Sequence, residues 1–401
     1  MTIISKDLTS VSEVSSMSRH TPFRNSDYGS VSLVFQGGGA LGAYQAGVYE
    51  ALHESQIEPD WVCGVSIGAI NSAIIAGNSP GKRVEKLREF WERITDRKVW
   101  MFTPDGDLFR TLRNSTSALL TMLQGQPGFF KPRESNPWLS FAGSKDATSY
   151  YDCAPLRDTL LDLVDFSLIN EGLTRISVGA VNVRTGNFIY FDNFESDFSP
   201  ENVMASGALP PAFPMTQIGT DYYWDGGIVS NTPLQHLLEQ EIQKNMIVFQ
   251  VDLFSSRGNL PRDMHQVMAR HKDIMYASRT RYNTDVFRNM RKWKNIAFSA
   301  LKKVPKDELT QDEIQLLNNL GKLPKVTICQ LIYQQQAYEG DSKDFEFSRT
   351  SMRDHWRAGY TDTKRTLSNH AWLEPTSESH GVKIYDVHLE REYSLNRGVK
   401  L

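Results

Sequence analysis

A serine set between glycines, Gly64-Val65-Ser66-Ile67-Gly68, is the residue whose neighbours best suit it to nucleophilic chemistry. It follows the strand-like run Trp61 to Cys63 and precedes IGAINSAIIAG, small and apolar residues that read as a helix packed close to a sheet. A G-x-S-x-G turn between strand and helix lifts the serine hydroxyl above the sheet. The flanking residues are glycines because side chains there would strike neighbouring backbone. The amides that open the following helix favour developing negative charge. A turn serine without chemistry has the same pattern, and the strand–turn–helix setting is what separates the two.

A hydroxyl is a weak nucleophile and needs a base. The later histidines, His236, His265, His271, His355, His370, His380 and His388, lie in helix-like or polar stretches and read as surface or core residues. The conspicuous partner is acidic. Asp225-Gly226-Gly227 closes the strand-like run Tyr222 to Trp224. Two glycines after an aspartate let the backbone approach another loop, although Asp-Gly also marks an ordinary turn.

The third candidate is a glycine loop. Gly37, Gly39 and Gly42 spell G-x-G-x-x-G after the apolar run VSLVFQ, the pattern of a dinucleotide-binding turn. That reading requires an acid at the C-terminal end of the second strand to bind the ribose. Glu58 and Asp60 precede that strand and sit at its wrong end, and the serine turn occupies the right one. The amides of Gly37, Gly38 and Gly39, at the entry to a helix, are then free to serve another negative oxygen.

Buried strands must carry these turns. VSLVFQ, WVCGVSIG, LTRISVGAVNV with FIYFDN as a hairpin through 184–187, DYYWDGG and NMIVFQVDLF alternate with helix-like segments at 40–55, 67–77, GKRVEKLREFWERIT and PLRDTLLDLVDF. A further helix-like run, ENVMASGALPPAFP, is expected to stop at Pro210 and Pro211. Alternation of this kind predicts an α/β fold, a mostly parallel sheet with helices on both faces. Residues 97–150 mix Pro, Gly and aromatics and read as irregular, with Phe129, Phe130, Trp138 and Phe141 either forming a lipid-facing lid or capping the core. VTICQLIY (326–333) is apolar on both faces and should rejoin the main sheet as an inner strand.

The chain has 401 residues, 40% apolar and 23% charged, and a net charge of −3, which places it among ordinary globular proteins. Length suggests a division into a tail (1–29), a first unit (30–254) and a helix-rich C-terminal extension (255–401) packed on it. The tail is rich in Ser, Thr and Asn and is expected to be disordered. No long apolar run predicts a membrane span. Three widely spaced cysteines, Cys63, Cys153 and Cys329, argue against a disulfide framework and for a cytoplasmic setting. Cys63, beside the serine turn, reads as packing. Between Arg279 and Lys303 eight basic residues accompany a single acid, Asp285, with Trp293 and Phe298 among them. That stretch is a solvated helix face, a subunit contact or a patch for anionic lipid, nucleic acid being the weaker reading. Asp386, His388 and Glu390 alternate and share a strand face, read as solvated rather than metal-binding.

GGGALG at 37–42, GVSIG at 64–68 and DGG at 225–227, in that order, resemble the patatin-like phospholipases. The resemblance covers roughly residues 30 to 255, and GVSIGAIN, PPAFP, SNTPL and the tail are similar to bacterial members. It implies a three-layer α/β/α sandwich and lipid acyl hydrolysis with peripheral membrane contact. It implies a Ser–Asp dyad without histidine, Ser66 as nucleophile and Asp225 as base, and needs no cofactor or metal. Gly37, Gly38 and Gly39 are the oxyanion donors on this view, with Gly42, Gly64, Gly68, Gly226 and Gly227 shaping the turns. Many members carry Lys or Arg where this chain has Leu41, so one positive charge near a phosphate headgroup is missing. A catalytically weak lipid-binding scaffold on the same fold is the rival, and it would have no need of both Ser66 and Asp225.

Overall fold

The computed structural model describes residues 28–96, 107–240, 242, 244–277, 280–320, 324–336, 339–373 and 381–386. The tail 1–27, Arg279, His388 and Glu390 lie outside the described residues.

Val31, Leu33, Val34 and Phe35 offer no polar face, and β1 (Ser30–Phe35) is buried along all but its first residue. A 3-10 turn at Gly39–Gly42 leads into α1 (Ala43–Glu54). There follow β2 (Trp61–Gly64), α2 (Ile67–Ala76), α3 (Pro80–Ile94), α4 (Asp107–Gln124), the short pair β3 (Lys131–Pro132) and β4 (Tyr151–Asp152), α5 (Ala154–Leu163) and α6 (Phe166–Asn170). Next come β5 (Arg175–Asn182), β6 (Phe188–Asp192), α7 (Pro200–Ser206), β7 (Thr216–Ile218), β8 (Asp221–Asp225), α8 (Leu234–Glu239) and β9 (Met246–Asp252). The C-terminal part adds α9 (Met264–Tyr276), α10 (Thr280–Leu301), α11 (Gln311–Leu320), β10 (Val326–Ile332), α12 (Arg349–Ser368) and β11 (Val382–Asp386).

The main sheet runs β11-β10-β9-β1-β2-β5-β8-β7, with β6 also paired to β5. From β11 to β5 every pairing is parallel, and β6, β8 and β7 are antiparallel additions. Side chains alternate across the strands. Leu33, Phe35, Phe249 and Val251 face a layer holding α1, α2, α3 and α12. Val34, Cys63, Val248 and Ile328 face α8 and α10 through Leu234, Leu237 and Phe287. The result is an α/β/α sandwich. Parallel strands put the loops after β1, β2 and β9 at one end of the sheet, where open α/β sheets bind ligands.

Apolar on both faces, β10 is an inner strand between β9 and β11. Nearby, α12 lies along α1 at a glycine crossing. A Cβ on Gly47 would lie 1.9 Å from the Trp356 carbonyl oxygen, and one on Gly359 would lie 2.0 Å from that of Tyr44. Tyr44 donates to Asp362 (3.0 Å) and Tyr360 to Glu54 (2.7 Å) across this contact.

Two expectations need correction. The irregular region contains an 18-residue helix, α4. Among its described side chains Asn114, Ala118 and Thr121 are buried, while Leu119, Met122 and Leu123 are exposed. Over 114–124 the buried side is therefore small and polar, which the expected apolar period does not reveal. The helix α7 ends at Ser206 with Gly207 as its cap, before either proline. The basic stretch is α10, on which Trp293 is exposed. Arg291 of that helix is buried and donates to the Pro324 carbonyl, and burial lowers its pKa to about 10. None of the described helices is long and apolar enough to cross a membrane.

Candidate active site

The chain leaves β2 at Gly64 and enters α2 at Ile67, so Val65 and Ser66 must turn it within two residues. Ser66 holds φ +58° and ψ −124°, a region that a non-glycine residue occupies only when its surroundings impose it. The flanking glycines make room. A Cβ on Gly64 would lie 2.3 Å from the Gly68 carbonyl oxygen, and one on Gly68 would lie 2.4 Å from that of Phe35. Ser206, at the end of α7, fixes the turn. Its carbonyl and hydroxyl oxygens both accept the Ser66 N–H (3.1 and 3.0 Å), and its hydroxyl donates to Gly179 (2.7 Å). Between Trp61 and Ala76 every residue except Ser66 is buried.

Asp225 ends β8 with 1% of its surface exposed. Its carboxylate accepts the Gly227 N–H at 2.7 Å and lies near enough to the Ser66 side chain for that group to pull its pKa down. Burial disfavours the charged form and pushes the carboxyl up to about 7, against the pull of Ser66 and the Gly227 bond. A Cβ on Gly226 would lie 2.6 Å from the Gly179 oxygen, so a glycine there lets Asp225 close against β5.

The glycine loop lies beside Ser66. A Cβ on Gly37 would be 3.0 Å from that of Ser66 and 2.4 Å from Asn231 Oδ1. The Gly37 N–H is spent on the Asn231 carbonyl (3.2 Å). The N–H groups of Gly38 and Gly39 donate to no acceptor among the described residues. Gly39 has φ +53° and a Cβ there would lie 2.1 Å from the Asp344 carbonyl oxygen. Gly42 touches Ile67 and Trp91, and Leu41 is wholly buried in the core rather than lining the site.

Several supporting residues lie outside the three site motifs, although Asn231 falls in the SNTPL run. Asn231 donates to the carbonyls of Gly37 (3.0 Å) and Tyr276 (3.2 Å), tying the glycine loop to the segment after Asp225. Gln36 accepts from Leu253 and Phe254 N–H (2.6 and 2.9 Å) and donates to Thr232 and Tyr276. The two acids weighed for a ribose are structural. Asp60 accepts the Val31 N–H (2.8 Å), and Glu58 pairs with Arg83 (2.7 Å). Cys63 is buried and its thiol is pushed up by burial, which disfavours a reactive thiolate. Half-buried His236 stacks on Tyr190 at 3.8 Å with its pKa lowered to about 4, chiefly by burial. No group of three or more His, Cys, Asp or Glu that could hold a metal occurs among the described residues.

The four aromatics of the irregular region divide. Phe129 and Phe130 are buried and pack with Phe213 (6.1 and 5.1 Å between rings), while Trp138 and Phe141 are 81% and 90% exposed. A small cavity of about 20 Å³, lined among others by Phe129, Leu156, Met204 and Phe213, lies next to Gly207.

A family model described as patatin-like phospholipase matches residues 33–238, and one described as patatin phospholipase matches 274–379. The chain is 26% identical over 214 residues to the cGAMP-activated phospholipase of Pseudomonas aeruginosa, covering 50% of this chain and 53% of that protein. It is 39% identical over 67 residues to the patatin-like phospholipase domain-containing protein M110.7 of Caenorhabditis elegans, 17% of this chain and 6% of that protein. It thus spans about half, or far less, of the curated relatives it matches. The crystal structure of VipD from Legionella pneumophila aligns over 92% of this chain and 77% of that one, with 15% identity and a TM-score of 0.38.

Proposed function

The chain belongs to the patatin-like phospholipase family, and on that footing we propose that it is a serine hydrolase of lipid acyl esters working through Ser66 and Asp225. The observation that carries this is the buried carboxylate of Asp225, facing Ser66 and raised to about 7. A base titrating near the working pH combines the right protonation state with driving force for proton transfer.

Asp225 accepts the proton of Ser66 as Oγ bonds to the ester carbonyl carbon. The carbonyl oxygen becomes an oxyanion beside the uncommitted amides of Gly38 and Gly39. Gly37 supports the loop through its bond to Asn231 rather than donating. The leaving alcohol takes the proton from Asp225, and an acyl-serine remains. Water then attacks it, Asp225 again taking the proton, and Asp225 gives that proton to Ser66 Oγ as the acyl–oxygen bond breaks and the fatty acid departs. Each oxyanion donor of this kind contributes on the order of 10²–10³ in rate.

The lipid substrate class is supported by family membership. The exposed Trp138, Leu139 and Phe141 support a peripheral contact with a lipid surface. In this reading 30–254 is the catalytic unit and the remainder an extension that completes the sheet. Incubation with a fluorophosphonate tests it. We expect stoichiometric labelling of Ser66, lost in Ser66→Ala and suppressed in Asp225→Asn, with both variants folded. A folded protein that never labels would overturn it.

A further inference from the structure

Ala40, one residue past Gly39, has both backbone groups taken by the C-terminal part of the chain. Its N–H donates to the Asp344 carbonyl (2.8 Å), and its carbonyl faces His355 Nδ1 at 3.4 Å. His355 lies on α12 and is 2% exposed. Its Nε2 is 2.6 Å from Glu339 Oε1. The Glu339 carboxylate also accepts the Tyr333 hydroxyl (2.7 and 2.8 Å) and the Gln336 N–H (2.9 Å). The Tyr333 ring stands edge-on to His355, centroids 5.2 Å apart, and Tyr44 stands edge-on to Tyr333.

A peptide carbonyl and a carboxylate can only accept hydrogen bonds. Both nitrogens of His355 face such groups, an arrangement that favours hydrogen on both, the imidazolium form. A neutral ring would aim a lone pair at one of two buried oxygens. The contact with Ala40 is long for a hydrogen bond, and its weight is that of a cation beside a carbonyl dipole. The other charged group facing the ring is Glu346, itself bonded to Ser348. Burial works against the charged ring, but the Glu339 hydrogen bond and charge, with Glu346 and the Ala40 carbonyl, outweigh it and raise the pKa above that of a free histidine. Burial likewise works to raise Glu339, and the bonds from His355, Gln336 and Tyr333 hold it below the usual range. The segment carrying Asp344 is anchored to α9 by Lys272–Asp344 (2.8 Å) and Lys343–Asp273 (2.6 Å).

We propose that His355, as an imidazolium paired with Glu339, is a positioning residue for the glycine loop: it holds the Ala40 carbonyl and thereby keeps the amides of Gly38 and Gly39 in place beside Ser66. This rests on the reading of that loop as the oxyanion site. The oxygen that needs stabilising is at the front of the loop, and His355 acts from behind it, through the backbone. Loss of its proton frees Ala40 and lets the loop drift, so turnover falls on the alkaline side while substrate binding is spared.

Asparagine at 355 places an amide nitrogen near the position of Nδ1, and glutamine near that of Nε2. On a soluble short-chain ester, with the full chain, His355→Gln should lose kcat roughly tenfold to a hundredfold with KM within about twofold, and His355→Asn should recover much of the loss. Glu339→Gln should move the alkaline limb of kcat to lower pH by about one unit and leave the acid limb in place. Profiles of all three variants overlaying the parent would overturn the proposal. A second readout needs no turnover. In protein labelled with 15N-histidine, both ring nitrogens of His355 should be protonated at pH 7.5, and Glu339→Gln should lower the titration midpoint. A neutral ring at that pH overturns the clamp even in an active enzyme. A charged ring in a protein that neither labels nor hydrolyses esters would instead remove the reading of Ser66 and leave the charged clamp standing.

Discussion

Asp225 faces the side chain of Ser66 from a position where 1% of its own surface meets water. One burial therefore has two consequences. It raises the carboxyl to about 7, which suits the proposed base, and it makes the ionised carboxylate a burden on the fold. The rate constant should rise with pH through about 7 as Asp225 gives up its proton, with a Ser66-dependent short-chain ester hydrolysis as the assay. A flat profile between pH 5.5 and 8 would contradict the assignment.

The same shift fixes a sign for stability. The folded pKa lies above the unfolded one, so the group's contribution is fully present below about pH 4 and is lost as pH rises through about 7. Three units correspond to at most ~4 kcal/mol. Asp225→Asn, which cannot ionise, should melt above the parent at pH 8, and the gap should shrink toward pH 5. Its activity should be lost at both. A variant that melts lower at pH 8 than at pH 5, relative to the parent, would show that the carboxylate is stabilised rather than penalised.

Ser206 should behave as a support rather than a reactant. Ser206→Ala removes the hydroxyl that accepts from Ser66 and donates to Gly179, while the Ser206 carbonyl still holds the Ser66 amide. The cost in stability should be about 1–2 kcal/mol. Ser66 stands in a strained conformation, so a loosened turn should lower kcat by roughly tenfold or more. Denaturant melts beside kcat measurements separate the two effects, and an unchanged kcat would show that the carbonyl alone suffices.

Much of this site was legible because its chemistry depends on glycine. Gly64, Gly68, Gly226 and Gly39 each stand where a side chain would overlap backbone, and that requirement appears in the sequence as a fixed letter. The parallel sheet was legible from apolar runs whose two faces are both buried, β10 included. What escaped were groups that act through ordinary side chains brought in from afar. Ser206, Asn231 and His355 look like any serine at a helix end, any loop asparagine and any helical histidine. Their roles arise only from contacts spanning 140, 194 and 315 positions. The helix α4 escaped for the opposite reason, since over its described side chains the buried positions Asn114, Ala118 and Thr121 are small or polar while Leu119, Met122 and Leu123 are exposed.

The glycine crossing of α1 and α12 gives a paired test of packing. Gly359→Ala would bring a methyl 2.0 Å from the Tyr44 carbonyl, and backbone cannot move aside cheaply. We expect a loss of about 1–3 kcal/mol or failure to fold. Gly81→Ala, near the start of α3 with nothing within 4 Å, should stabilise by up to about 1 kcal/mol through helix propensity. Thermal melts of the two variants should move in opposite directions. If Gly359→Ala melts with the parent, the two helices are not held at that distance.

Trp138, Leu139 and Phe141 are 81%, 85% and 90% exposed, and the outer residues Leu119, Met122 and Leu123 of α4 are exposed as well. The Trp138 indole donates to the Tyr150 hydroxyl (3.0 Å), which orders the tip without covering it. Apolar groups left in water at this density gain by entering a lipid surface, at about 25 cal/mol per Å² removed from water. The dyad sits elsewhere and should not feel their loss. Replacing all three by serine should therefore reduce binding to phospholipid vesicles and hydrolysis of vesicle lipid by on the order of tenfold to a hundredfold. Hydrolysis of a soluble short-chain ester should stay within about twofold, because proton transfer between Ser66 and Asp225 is untouched. Vesicle sedimentation, run beside the two assays, distinguishes a docking defect from a folding defect. Equal losses on both substrates would place these residues in the core of the site, and no loss on either would leave the exposed tip without a part in lipid contact.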